Sequence, residues 1–268
     1  MKTYSTGLEL VMNAAEGPLQ IVVTDDEALV CVQEWNRPQR ATEILVPALQ
    51  EICAALRIKI TDFRRIACVR GPGSFTGIRL VLATAAAFRR VGRVRLAGLD
   101  YLQALACTAA IARRLPFNAR IIVITHARRN LVHFRPFFSA GWYISPLPFQ
   151  EARLVTPLEA LEVAHDAARK SCFPVYVCGS GLVRNTAVFE KRRQGFALMP
   201  ECLIPSVPAL RMLARHGEYF DEDIEPLYLR PCDAAKNLSH LAARQGMDAD
   251  EAAARLESLL ERTPKSEI

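Results

Sequence analysis

The sequence predicts an α/β fold made of two successive units. Three observations carry this. The first hundred residues run strand, strand, strand, helix, strand, helix. The pattern starts afresh near Gly98-Leu99-Asp100. Two apolar strand runs, RIACV and PVYVC, each lead into a glycine turn, GPGSFTG and GSG.

The elements follow in order. Leu8 to Met12, Leu19 to Thr24 and Ala28 to Gln33 are β-rich runs, separated by Asn13, Gly17-Pro18 and Asp25-Asp26, which are turn formers. Residues 42 to 56 place Leu45, Ala48, Leu49, Ile52 and Leu56 on one helical stripe, with Pro47 early enough for its missing N–H to be tolerated. RRIACV is a fourth strand, and a helix over 74 to 90 follows the glycine loop. Asp100 is placed to cap a helix running through Arg113. RIIVIT (120 to 125), LVHFRPF (131 to 137) and a stretch near Gly141 read as strands, and Leu158 to Arg169 as a helix. PVYVCGSGL, 174 to 182, is a strand entering a turn, and Ser206 caps a helix through Arg215. Residues 248 to 263, DADEAAARLESLLERT, read as an appended amphipathic helix. No internal sequence repeat is visible.

The 268 residues are 51% hydrophobic with a net charge of +6, enough to bury a full core. Arginine pairs such as Arg64-Arg65, Arg89-Arg90 and Arg113-Arg114 are scattered and lack interleaved aromatics. A clustered stripe would point to nucleic acid; scattered pairs read as solvated faces, with a weak attraction to RNA left open. Eight cysteines include no C-x-x-C pair and mostly lie in apolar runs, as buried reduced thiols do. MKTYSTGLEL has no signal-peptide core and no run has the length of a membrane span. A soluble, cytoplasmic protein is expected.

GPGSFTGIR has no lysine before its hydroxyl residue and is one residue off the dinucleotide spacing. Gly71, Gly73, Ser74, Thr76 and Gly77 are therefore only weak candidates for holding a phosphate. In the plainer reading the first two glycines permit a turn, Ser74 or Thr76 caps the helix, and Gly77 allows close packing. The helix that follows is apolar on two sides: Ile78, Val81, Leu82, Ala85 and Phe88 form one stripe, Leu80, Ala83 and Ala87 another. Such a helix is covered on both faces, by an internal layer or by a partner. The histidines, His126, His133, His165, His216 and His240, make neither HxxxH nor HExxH, so the common helical metal pair is missing. His126 and His133 could meet across a hairpin; the GSG serine, Ser180, has no base nearby in sequence, and a turn is the better reading. No catalytic residue and no metal site are assigned.

VRGPGSFTGIRLVLATAAAF resembles the signature of the TsaB (YeaZ) family, relatives of the TsaD proteins. ATEILVPALQEI, LDYLQALA, HARRNLVHF, VCGSGL, VPALRMLARHG and EPLYLR resemble further stretches of that family, in its order, over residues 8 to 230. The resemblance implies an actin-like (sugar-kinase and Hsp70-like) fold of two lobes. Residues 1–99, with 206–232 returned to them, would form the first lobe, 100–205 the second, and 233–268 a helical extension. It also implies a part in making threonylcarbamoyladenosine in tRNA, as a scaffold that pairs with a TsaD-type catalytic subunit and, alone, with itself, any contact with the tRNA being indirect. The two first-lobe helices would form that interface through Leu45, Leu49, Arg79, Leu80, Ala83 and Ala87. No cofactor is implied beyond a nucleotide shared with a partner subunit. Against the family pattern, Asn13 stands for an aspartate, Ala41 for a histidine and His126 for an aspartate. Each change removes an acid or a ligand, which disfavours the alternative, an independent hydrolase or small-molecule kinase of the same fold.

Overall fold

Two mixed sheets of the same design carry the chain. The structure is a computed structural model that describes residues 7–37, 40–191 and 195–229, all within the unit Met1–Leu229. The first sheet comprises β1 (Leu8–Asn13), β2 (Leu19–Asp25), β3 (Ala28–Trp35), β4 (Arg65–Gly71) and β5 (Arg95–Asp100), in the order β3-β2-β1-β4-β5. β1, β2 and β3 are antiparallel neighbours, while β4 and β5 join in parallel. The second sheet comprises β6 (Arg120–Arg128), β7 (Leu131–Phe138), β8 (Leu147–Pro148), β9 (Arg153–Val155), β10 (Val175–Cys178) and β11 (Phe196–Met199). Its order, β8-β7-β6-β10-β11 with β9 beside β7, repeats the first. The pairing senses repeat too: β6, β7 and β8 antiparallel, then β10 and β11 parallel. This duplicated arrangement is the actin-like α/β fold that the resemblance implied, and it persists where no sequence repeat does.

Helices separate and cover the sheets. α1 (Ala41–Leu56) and α2 (Phe75–Val91) lie on the outer face of the first sheet, where Leu45, Leu49, Ile52, Val81 and Phe88 join Leu10, Met12 and Ile21 in one core. α3 (Tyr101–Arg113) and α7 (Val207–Arg215) fill the middle, against Val11, Ala67 and Val69 of one sheet and Ile121, Val123 and Phe137 of the other. α4 (Pro157–Lys170) covers the far face of the second sheet with Phe189 of α6 (Thr186–Glu190), while α5 (Ser180–Arg184) follows β10. α3 can be buried all round because its sequence, YLQALACTAAIAR, is mostly small or apolar. Asp100 caps it by accepting from the Gln103 N–H at 3.0 Å and also pairs with Arg135 of β7 at 2.5 Å. Thr156 and Glu159 make a capping box on α4, and Ser206 caps α7.

Several expectations need correction. The stretch near Gly141 is a turn, with Gly141 at φ 100, and the next strand starts only at Leu147. Pro47 lies well inside α1, so it costs that helix one internal hydrogen bond. Cys172 is exposed; Cys68, Cys107, Cys178 and Cys202 are buried, and burial pushes the Cys107 thiol up to about 12. β5, β9, β11, α5 and α6 are additions to the expected elements. The helix expected over 248–263, the extension 233–268, and the end of the returned segment at 230–232 lie outside the described residues.

The outer edges differ. β5 is capped by an antiparallel bridge in which Leu96 and Phe220 exchange hydrogen bonds at 2.8 and 2.9 Å. From there the chain runs as a strap along α2. Asp223 takes Arg89 at 2.9 Å and Arg90 at 3.0 Å, Leu227 N donates to Arg70 O, and Tyr228 stacks on Phe75 with centroids 5.1 Å apart. β3, at the other end of the sheet, has Leu29, Val32 and Trp35 exposed.

The glycine loop joins β4 to α2, and its neighbours are backbone. Ser74 N donates to Ala15 O at 2.5 Å, and the Ser74 hydroxyl accepts from Gly77 N at 3.3 Å as the N-cap of α2. A Cβ on Gly73 would collide with the Ala15 carbonyl, and one on Gly77 with the Ala14 carbonyl. One on Gly71, at φ +120, would lie 2.6 Å from Leu227 O. The three glycines thus let the β1–β2 turn and the strap come up against the loop. Glycine to alanine normally stabilises a helix by about 1 kcal/mol. Gly77→Ala should instead lower the unfolding free energy by about 1–3 kcal/mol, as overpacking does, and Gly73→Ala should act likewise. Gly92→Ala, whose nearest neighbours stand at 3.5 Å, should change it by less than about 1 kcal/mol. Urea unfolding of the three variants checks the order.

Candidate functional site

α2 presents its two stripes to different surroundings. Ile78, Val81, Ala85 and Phe88 are buried against the first sheet, with Leu82 half-buried. Ala83 and Ala87 are exposed and Leu80 is half-buried beside them. Arg79 is exposed but held: its guanidinium lies 3.7 Å over the Phe75 ring and Nε donates to Tyr228 Oη at 3.2 Å. The second stripe therefore looks outward from the described fold.

Leu45 and Leu49 do not join it. Their relative exposures are 0% and 4%, because the one strong apolar stripe of α1 lies on its own sheet. The exposed residues of α1 are Thr42, Glu43, Val46, Pro47, Gln50, Glu51, Ala54 and Ala55, with Val46 at 53% exposure. Between the N-terminal ends of α1 and α2 lies a pocket of about 390 Å³ that gathers Ala41, Thr42, Ser74, Thr76, Gly77 and Leu80. Ala41 and the weak loop candidates Ser74, Thr76 and Gly77 thus share one depression at the edge of the outward face.

A second constellation lies where the β1–β2 turn meets the second sheet. Asn13 holds that turn: its Nδ2 donates to Gln20 Oε1 at 2.8 Å and its Oδ1 accepts from Ala15 N at 3.0 Å. Gln20 in turn donates to Glu34 and to Pro205 O. A carboxylate at position 13 could not make the donation to Gln20. Three residues on, Glu16 Oε1 accepts from the Ser180 hydroxyl at 2.5 Å, and Ser180 Oγ accepts from His126 N at 2.9 Å. Burial raises the Glu16 carboxyl above the usual carboxylate range, opposed by the Ser180 hydrogen bond and the Arg184 charge.

The GSG serine therefore does have a carboxylate beside it, 164 residues away in sequence. Nothing local in VCGSGL signals this; the visible hint is an acid in the turn MNAAEG. His126 and His133 do not meet on one face. His133 stands opposite Thr125, with Nδ1 3.2 Å from its hydroxyl, and His126 stands opposite Val132, so successive side chains send them to opposite sides. Among the described residues no three His, Cys, Asp or Glu side chains gather as a metal site, and no helix is long and apolar enough to cross a membrane.

Comparison with known proteins agrees with this architecture. Residues 38–135 match the family model for TsaD, tRNA N6-adenosine threonylcarbamoyltransferase. Two solved structures from Pseudomonas aeruginosa share the fold at a TM-score of 0.66. One is a protein similar to peptidase YeaZ, 18% identical and covering 84% of this chain and 100% of that one. The other is YeaZ, 17% identical and covering 83% and 100%. The tRNA threonylcarbamoyladenosine biosynthesis protein TsaB of Escherichia coli (strain K12) is 30% identical over 240 residues, which span 82% of this chain and 98% of that protein. With nearly the whole length of that relative matched, the chain belongs to the TsaB family.

Proposed function

We propose that this protein serves the synthesis of threonylcarbamoyladenosine in tRNA as a non-catalytic scaffold. It pairs through the outward faces of α1 and α2 with a TsaD-type catalytic subunit and, alone, with a second copy of itself. The observation that carries the reading is the outward stripe of α2: Ala83 and Ala87 exposed beside Leu80, on a helix whose other face is fixed to its own sheet. Small side chains let a partner helix approach to the short end of the usual interaxial range, and Val46 on α1 and Val91 at the end of α2 extend the apolar surface. Kinship with E. coli TsaB supplies the pathway. The engagement of Asn13 in holding the turn supports a scaffold over a kinase, since the position that would place a divalent cation holds the chain instead.

The test is co-expression with the TsaD-type protein of the same organism. A stable complex is expected, together with no ATPase, peptidase or carbamoyl-transfer turnover by the isolated chain. Turnover by the chain alone would favour an independent hydrolase or kinase.

The face itself is tested by substitution. Ala83→Glu and Ala87→Glu should weaken self-association and partner binding about a hundredfold or more, because a carboxylate is buried without a partner. Circular dichroism should stay unchanged, because both positions are exposed in the lone chain. Leu45→Ala should do the reverse: it should cost about 2–5 kcal/mol of stability while the folded variant still pairs. Size-exclusion mass with circular dichroism separates the outcomes, and unfolding by Ala83→Glu would mean that the stripe faces inward.

A further inference from the structure

We propose that Glu16 and Ser180 form a latch between the two sheets, and that the proton on Glu16 decides whether it is closed. Glu16 lies in the turn after β1 of the first sheet, and Ser180 opens α5, just after β10 of the second. The hydrogen bond of 2.5 Å between them joins parts of the chain 164 residues apart. It stands apart from the partner face and holds whether or not that pairing does.

The geometry makes this contact a switch and not a permanent bond. Glu16 Oε1 is satisfied by Ser180, whose oxygen is itself held by the His126 N–H. Glu16 Oε2 is buried with no hydrogen-bond partner. A charged carboxylate with one buried, unpartnered oxygen is costly, and a neutral acid costs far less. The groups facing it are few: Ser180 and Arg184 from α5, Tyr101 from α3 and the backbone of His126 from β6. Tyr101 is itself buried and resists ionising. The Ser180 hydroxyl, the Arg184 charge, Tyr101 and the His126 backbone all favour the charged form, and burial outweighs them.

The sign follows. Burial in the closed state holds the pKa of Glu16 above its ordinary value, so the latch is fully formed in acid, below that ordinary value. It loosens as the pH rises through the raised one. Opening solvates the carboxylate and breaks its hydrogen bond to Ser180.

The other end of the same turn explains why loosening would be felt elsewhere. Ala15 O accepts from Ser74 N, and the Ala14 carbonyl lies against Gly77. One five-residue turn, 14 to 18, thus touches the second sheet's side through Glu16 and the start of α2 through its neighbours.

Native-state hydrogen exchange by mass spectrometry on the full chain tests the proposal, at about pH 5 and about pH 8 with intrinsic rates corrected. In the wild type, opening of segments 13–18 and 178–184 should rise about tenfold at the higher pH, the size expected from losing one charge-sensitive buried hydrogen bond. Glu16→Gln, a permanently neutral acceptor for Ser180, should hold both segments closed at both pH values. Ser180→Ala should open both about tenfold relative to the wild type at the lower pH and change little at the higher. A wild-type ratio that does not change with pH overturns the proposal, as does a Glu16→Gln variant that keeps the wild-type pH dependence. Amides of β1 and β4 report the integrity of the core; if Ser180→Ala also loses their protection, the wild type and Glu16→Gln decide by themselves.

Discussion

Backbone lies against backbone where the glycine loop meets the β1–β2 turn, and the rest of the first half is arranged around that contact. Two alanine carbonyls occupy the space that any side chain on Gly73 or Gly77 would need. The start of α2 is thereby fixed relative to β1, and with it the rotation of the helix about its axis. That rotation puts Ile78, Val81, Ala85 and Phe88 on the sheet and leaves Ala83 and Ala87 outside. A glycine-rich loop before a helix suggests a phosphate cradle; here the backbone it admits is the protein's own. The strap adds a second hold, since Leu227 comes up to Gly71 and Tyr228 to Phe75.

The middle layer is the second constraint. α3 is shared between the sheets, and its alanines and Cys107 let both approach. Asp100 serves both sides at once, capping α3 and pairing with Arg135 of the second sheet. The two halves are thus built on one helix and held across it by polar groups. The Glu16–Ser180 contact belongs to the same set, but it differs from Asp100–Arg135 in having one oxygen left over.

Local pattern made much of this legible. β1, β2, α1, α2, α4 and α7 announce themselves through period and caps; Asp100 and Ser206 cap as their spacing implies, and of the two candidates Ser74 and Thr76 it is Ser74 that caps α2. β5, RLAGLD, was missed because a glycine interrupts a short run that leads straight into a cap. β9 and β11 have three and four residues, too few for a period to show. The stretch at Gly141 has the aromatic content of a strand, but Gly141 adopts a left-handed conformation that ends pairing. For the site, the helix was legible and the direction of α1 was not: Leu45 and Leu49 mark an apolar stripe, and a stripe does not say whether a sheet or a partner covers it. The Glu16–Ser180 pair was beyond local reading altogether, because it depends on two turns brought together by two different sheets. The duplication was equally hidden, since strand order is kept by packing rules while the residues that satisfy them have changed.

The open edge of β3 has a practical meaning. Its row of backbone donors and acceptors is not covered by a further strand among the described residues, and Leu29, Val32 and Trp35 are exposed along it. No proline or lysine interrupts ALVCVQEW, although such residues are the usual guards of an edge strand. Concentrated protein would therefore associate strand to strand at this edge before it did so at the β5 side, where Phe220 already occupies the place. Storage at high concentration without a partner is the condition that brings this out, and a single lysine on the exposed face of β3 is the natural remedy.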